Sequence, residues 1–322
     1  MRRNVIFVFI LAVTLASAAV AAPPTIAELL GKVPAAAKVV VAVDAAALHQ
    51  HPLVQQWLAE RHAAWSGLDD EAVSFLRDAG LAPERDVAAM VAAVTSADGH
   101  PNFVVYFAGH FDPAALGAAL TARGAQAATL PGGAGYLLPT EGSDTRTVAV
   151  LASELIVLGD ETSVRGLQVF ATGSPLVAEE VAARRIDPAA HFFFVADLPP
   201  REAVASGEET AEGDSLQQVV EASGTVRRVI LQATLGEALA LKGFATADTS
   251  ENAELLRDTV KGAIAAMRLH AQEKAPELVE VLRDVDVRLD DTRVSGTVAV
   301  PVAVIEKVLQ EHAASHTHEP MI

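Results

Sequence analysis

The chain has 322 residues, 24 Lys+Arg against 41 Asp+Glu, and no cysteine. A net charge of −17 argues against nucleic acid, whose phosphates draw on basic residues, and against an anionic membrane surface. The absence of cysteine excludes disulfides, thiol catalysis, Cys-ligated zinc and iron–sulfur clusters. Hydrophobic content of 51% with 20% charged residues belongs to a folded globule, and the length suits two ordinary domains.

The first 21 residues read as a signal peptide. Arg2 and Arg3 form a basic start, Val5 to Leu15 an apolar run too short to span a bilayer, and Ala19-Val20-Ala21 a small-x-small cleavage pattern. Cleavage before Ala22 leaves 22 basic against 41 acidic side chains, a net charge of −19. The expected product is soluble, periplasmic or extracellular, without stable membrane insertion.

After the leader, Val39 to Val43 is a buried-strand run ending at Asp44. Helices follow over Pro52 to Trp65 and Glu71 to Ala79, the second closed by Gly80. Val87 to Thr95 and Phe103 to Gly109 form a hairpin across Asp98-Gly99-His100-Pro101. Asp112 caps a helix with Pro113 at its first position, Leu116 and Leu120 inward, and Gly124 at its end. Gly132-Gly133-Ala134-Gly135 follows Pro131 and opens no helix, so it reads as a flexible loop before a strand, without a phosphate cradle. A second hairpin joins Thr147–Leu151 to Glu154–Gly159. Asp160 caps the next helix, with Val164, Leu167 and Ala171 inward.

Residues 173–188 read as a linker, with a short connecting helix over Ala178 to Arg185. His191 to Leu198 is a central-strand run, and Leu216, Val219 and Val220 mark a short amphipathic helix. Val229, Leu231, Ala233 and Leu235 alternate onto one strand face. Gly236-Glu237 fits a two-residue turn into Leu239 and Leu241. The longest helix begins at Asp248, Thr249 or Ser250, carries a core stripe of Leu256, Val260, Ala263 and Met267, and stops before Pro276. Val285, Val287 and Leu289 pair with Val294, Val298 and Val300. A final helix from Pro301 turns Ile305, Val308 and Leu309 inward.

These elements predict an α+β fold of two similar lobes, each made of antiparallel β-hairpins with helices packed on one face. The lobes span 22–172 and 189–311, and 312–322 is a histidine-bearing tail. Both repeat strand, helix, hairpin, capped helix, hairpin, helix, and Asp112 and Asp248 stand at matching caps.

Catalytic motifs are missing: no G-x-S-x-G, H-E-x-x-H, P-loop or Rossmann glycine pattern occurs. His312, His316 and His318 are the candidate metal ligands, binding weakly, because imidazoles at this spacing can share a transition-metal ion. Ser315, Thr317, Pro320 and the terminal position favour a frayed, solvated tail as the reading of the same residues. Glu208, Glu209, Glu212 and Asp214 crowd an acidic loop without the ligand spacing of an EF-hand, and read as solvated. Arg184-Arg185 and Arg227-Arg228 are the basic doublets of the mature chain, and salt bridging on the sheet surface is their expected role.

Several phrases resemble those of a known group. V-A-V-D-A-A-A-L from Val41 with H-P-L from His51, G-L-A-P-E-R-D-V from Gly80 and G-H-F-D-P-A-A-L from Gly109 come in that order. A-V-L-A-S-E-L-I-V-L-G-D from Ala149, A-T-A-D-T-S-E-N-A-E-L-L-R-D-T-V from Ala245 and V-S-G-T-V-A-V-P from Val294 follow. The pattern resembles an uncharacterised two-lobed secreted bacterial protein family with no assigned activity. The resemblance implies export and carries over no functional residue.

The expectation is therefore a non-catalytic periplasmic binding or interaction module, without a cofactor, whose partner is a protein or a small molecule. The alternatives are an envelope hydrolase, which requires several of Asp44, His49, His51, His62 and His110 to converge, and a structural envelope protein exposing a large apolar patch.

Overall fold

The computed structural model describes residues 23–62, 78–97, 100–130, 133–139, 147–166, 173–198 and 225–316. The signal segment, most of the expected Glu71–Ala79 helix, the Asp98-Gly99 turn, Leu167, Ala171, the acidic loop, the Leu216 helix and His318 lie outside them. By internal contacts the chain divides at Phe194/Val195.

The first unit opens with α1 (Ile26–Leu30), held by a capping box in which Thr25 and Glu28 satisfy each other's backbone N–H groups. β1 (Val39–Asp44), α2 (Ala45–Gln50), α3 (Pro52–His62), α4 (Pro83–Asp86), β2 (Val87–Ala97) and β3 (His100–Gly109) follow. Next come α5 (Pro113–Ala122), β4 (Gln126–Leu130), β5 (Gly133–Leu137), β6 (Thr147–Leu151), β7 (Leu155–Asp160), α6 (Glu161–Gly166) and α7 (Pro175–Ala182). The strand order is β1-β2-β3-β7-β6-β5-β4, with each of these pairings antiparallel.

Strand register explains the burial. Val43, Met90, Phe107, Ile156 and Leu151 stand opposite one another across β1, β2, β3, β7 and β6. They form one core with Phe111 and with Leu116 and Ala119 of α5. The alternate row, Ala42, Val91, Tyr106, Val157 and Val150, is buried on the other face. There Tyr106 donates its hydroxyl to Lys32 O at 2.7 Å, as a buried phenol requires. Helices cover this sheet on both faces, and its apolar positions are saturated.

Asp112 and Asp160 cap as expected. The first accepts from Ala114 and Ala115 N–H at 2.9 and 3.1 Å, and the second from Ser163 N–H at 2.8 Å. The loop expected at Gly133–Gly135 is instead strand β5. It pairs with β4 and β6. Gly135 is required by crowding, since a Cβ there would stand 2.6 Å from Ala128 O and 2.7 Å from the Leu130 side chain. Within 173–188, α7 buries Leu176, Val177 and Glu180, and Ile186 is buried beyond it.

β8 (Phe192–Asp197) straddles the division. The second unit continues with β9 (Val226–Leu235), β10 (Ala238–Ala247), α8 (Ser250–Lys274), α9 (Glu277–Arg283), β11 (Asp286–Asp290), β12 (Arg293–Pro301) and α10 (Val302–His316). Its order, β8-β9-β10-β12-β11, has the same connectivity as β1-β2-β3-β7-β6 in the first unit. Antiparallel hairpins covered by helices make the protein α+β. Among the described residues no helix is long and apolar enough to cross a membrane.

Two local expectations are corrected here. Thr249, not Asp248, caps α8 by accepting from Asn252 N–H at 3.2 Å, while Asp248 holds Asn252 Nδ2 at 2.8 Å. Met267 leaves the core stripe and is 50% exposed, with Ile264 buried in its place. One turn below, Arg268 turns inward and donates from Nε to Leu282 O at 2.7 Å, which takes up that stretch of the helix face. Two residues, Gly236 and Glu237, separate β9 from β10 as expected, and Leu235 pairs with Leu239 across them.

Candidate functional site: an uncovered sheet face

Alternation along β9, β10, β12 and β11 places every apolar odd-numbered residue of β9 and β10 on one side. Paired across the ladder are Val229–Ala245–Val294–Leu289, Leu231–Gly243–Gly296–Val287, Ala233–Leu241–Val298 and Leu235–Leu239–Val300. No titratable or hydrogen-bonding side chain stands in these four rows. A bulge keeps the pattern intact at one end: Arg228 pairs with Thr246 and Val226 with Ala247, so Arg227 is the extra residue. Val226 thereby rejoins the side of Val229, and both pack in the same cluster.

Among the described residues helix α8 packs chiefly on the first row and on Val287, and α9 also meets β12. Ala253, Leu256 and Val260 meet Val229, Ala245, Val294 and Leu289. Beyond it, among the described residues, the middle of the face is open: Leu231 is 49% and Leu241 39% exposed, while Leu235 at the far end is buried. Between them the second row is hollow at its centre. A Cβ on Gly296 would meet nothing within 4 Å, and one on Gly243 would touch only the Leu231 side chain closely, at 3.1 Å. The result is a shallow trough floored by glycine backbone and rimmed by Leu231, Leu241, Val298 and Val287. The other side of these strands is mixed: Gln232, Thr234, Ser295 and Thr297 share it with the buried Ile230 and with Lys242, which stands 4.9 Å from the Phe244 ring.

The exposure is uneven between units. Among the described residues the large exposed hydrophobic side chains are Leu231, Leu241, Leu255, Met267, Leu269 and Leu309, all in the second unit. Sequence reading identified the alternation in β9 and β12 as core-facing. It missed that the covering helix is displaced to one end, a tertiary fact with no local signal.

The charged groups near this unit are paired. Arg228 binds Asp197 through Nε at 2.6 Å and Nη2 at 3.2 Å, and Arg227 binds Asp248 at 2.9 Å. The Asn252 amide, foremost, and the Arg227 guanidinium hold the Asp248 carboxyl below its ordinary range. The expected salt-bridging role of this doublet is what the structure shows. In the first unit Glu180 is buried and paired with Arg185.

Of the residues named for a hydrolase, the described ones are held in local roles, and the His62 side chain lies outside the described residues. Asp44 is spent as the N-cap of α2, accepting from Ala47 N–H at 2.8 Å. His51 Nδ1 accepts from Leu53 N–H at 3.2 Å, which fixes it as a capping imidazole. His49 Nδ1 is buried without a hydrogen-bond partner among the described residues. His110 lies in the connection between β3 and α5, its N–H donating to Asp86 O at 2.7 Å, and His62 ends α3. Among the described residues no group of three His, Asp or Glu is arranged to hold a metal. His312 and His316 fall in the last turns of α10, four residues apart, and His318 lies outside the described residues.

No protein-family pattern matches this chain, and no curated protein does. Among solved structures, crystal forms I and III of TP0453 align over 90% and 91% of this chain and 98% and 99% of theirs. Their identities are 10% and 11%, and their TM-scores 0.46 and 0.47. A likeness at that level carries neither a residue nor an activity across.

Proposed function

We propose that the chain is an exported, non-catalytic interaction module that binds a protein partner through the uncovered sheet face of its second unit. The observation that carries this reading is the trough around Gly243 and Gly296, whose four rows of described residues are apolar and hold no titratable or hydrogen-bonding side chain. Chemistry on a substrate needs convergent ionisable groups, and this face has none. Small-molecule sites enclose most of their ligand in a concave pocket. Here the apolar side chains are instead spread over an open, shallow sheet face, which suits the flat apolar core of a protein interface. The reading of residues 1–21 as a signal peptide supports action outside the cytoplasm.

The partner test pairs the wild type with the double variant Leu231→Asp/Leu241→Asp. Both positions are already half exposed, so the variant keeps its fold, checked by circular dichroism. Wild type should bind the uncharged dye Nile red and enrich a discrete envelope protein, and the double variant should lose both. Equal dye binding and equal enrichment by the two forms would remove this face from consideration. For export, the product in a Gram-negative host should be periplasmic and begin at Ala22; a cytoplasmic product retaining Met1 would overturn it.

A further inference from the structure

We infer that the outer face of α8 is a self-association surface that joins two copies of this chain as an antiparallel helix pair centred on Gly262. Leu269 and Leu255 are the most exposed large apolar side chains among the described residues, at 67% and 62%. They stand seven residues to either side of Gly262, on the helix face opposite the core stripe of Ala253, Leu256, Val260 and Ile264. Ala266 lies between them on the same face and is exposed. That spacing is self-complementary. When two such helices cross antiparallel at Gly262, Leu255 of each copy meets Leu269 of the other, which is the requirement of an isologous two-fold contact.

The centre is open for close approach. A Cβ on Gly262 would meet nothing within 4 Å, and a glycine at the crossing point lets two helix axes come to about 8 Å. A mid-helix glycine costs roughly a factor of a few in helix stability, and among the described residues no packing calls for one here. A second copy supplies the reason. One helix crossing buries less than the roughly 800 Å² per partner of a standard interface, so the dimer is weak and concentration-dependent. This surface is separate from the sheet face proposed above, and either stands without the other.

The cysteine-free chain makes the contact directly testable. Gly262→Cys places one thiol per copy on the two-fold axis, within disulfide reach of its mate at a Cα separation of about 5 Å. Gln272→Cys, ten residues further along the exposed side of α8, would stand about 30 Å from its mate. With oxidised glutathione as oxidant, Gly262→Cys should dimerise about ten-fold faster or more than Gln272→Cys. Adding Leu255→Asp and Leu269→Asp should erase that advantage, and a mixture of Leu255→Cys with Leu269→Cys chains should cross-link faster than either alone. Sedimentation of the wild type should show monomer converting to dimer between about 1 µM and 1 mM. Equal cross-linking at 262 and 272, insensitivity to the leucine changes, or a wild type monomeric throughout would overturn the inference, the last two assigning the face to a different partner or to none.

Discussion

Tyr106 shows how much one buried polar atom can set. Its ring is fully inside the first unit and its hydroxyl has Lys32 O as partner, so Tyr106→Phe leaves that carbonyl unpaired. The expected cost is about 1–3 kcal/mol, read by urea denaturation at neutral pH. Burial also pushes the phenol well above its ordinary range. In the unfolded chain the tyrosine ionises near pH 10 while the folded one keeps its proton, so the folded state binds more protons there. Stability from this group is whole below about pH 10 and is lost as pH rises beyond it, with a steeper decline in wild type than in Tyr106→Phe. Parallel slopes for the two proteins above pH 10 would show that the hydroxyl is not desolvated.

At the scale of elements, caps separate what spacing reveals from what it does not. Asp112→Ala should cost about 0.5–2 kcal/mol because Asp112 holds two N–H groups of α5. For α8 the cap is Thr249, so Thr249→Ala should cost more than Asp248→Ala at pH 7, by thermal denaturation. The contribution of Asp248 should be present above about pH 4 and fade as pH falls through its lowered value, since the folded carboxyl resists protonation. A cost for Asp248→Ala that persists unchanged at pH 3 would contradict this. Three consecutive capping residues, Asp248-Thr249-Ser250, look alike in a sequence; Arg227 and Asn252 decide between them by engaging Asp248. The β4–β5 hairpin was illegible for another reason. Gln126–Leu130 and Gly133–Gly135 hold one β-branched residue, Thr129, and no aromatic one, so they carry little of what marks a strand, and they are strands because Leu130, Tyr136 and the β6 edge receive them. The tail gives a third expectation: His312 and His316 sit one turn apart in α10, and with His318 they should bind nickel or zinc weakly. Calorimetry should find that binding lost in a chain ending at Gln310, and lost in the intact chain below about pH 6. Equal binding by both chains would point to the internal histidines instead.

Over the whole molecule, one strand connectivity occurs twice with different coverage. The alternating runs and turn residues made the hairpins between successive strands readable from the sequence, whereas β1–β2, β3–β7 and β10–β12 join residues far apart in the chain and carry no local signal. Coverage was not readable, since it depends on where α8 comes to rest on the four-strand ladder, a matter of long-range packing. Charge acts at the same scale. The chain carries −17, and ion pairs such as Arg228–Asp197 and Arg227–Asp248 are a quarter or more exposed and contribute little. Net repulsion among the surplus carboxylates therefore outweighs the attraction that salt would screen. Raising ionic strength from about 10 mM to about 0.15 M shortens the screening length from roughly 30 Å to 8 Å and should raise the melting temperature at pH 7.5. The gain should vanish near pH 5, close to the isoelectric point of about 4.9, where the surplus is titrated away. A melting temperature that falls with salt at pH 7.5 would mean that the arginine–aspartate pairs, not the carboxylate surplus, dominate the electrostatics of the fold.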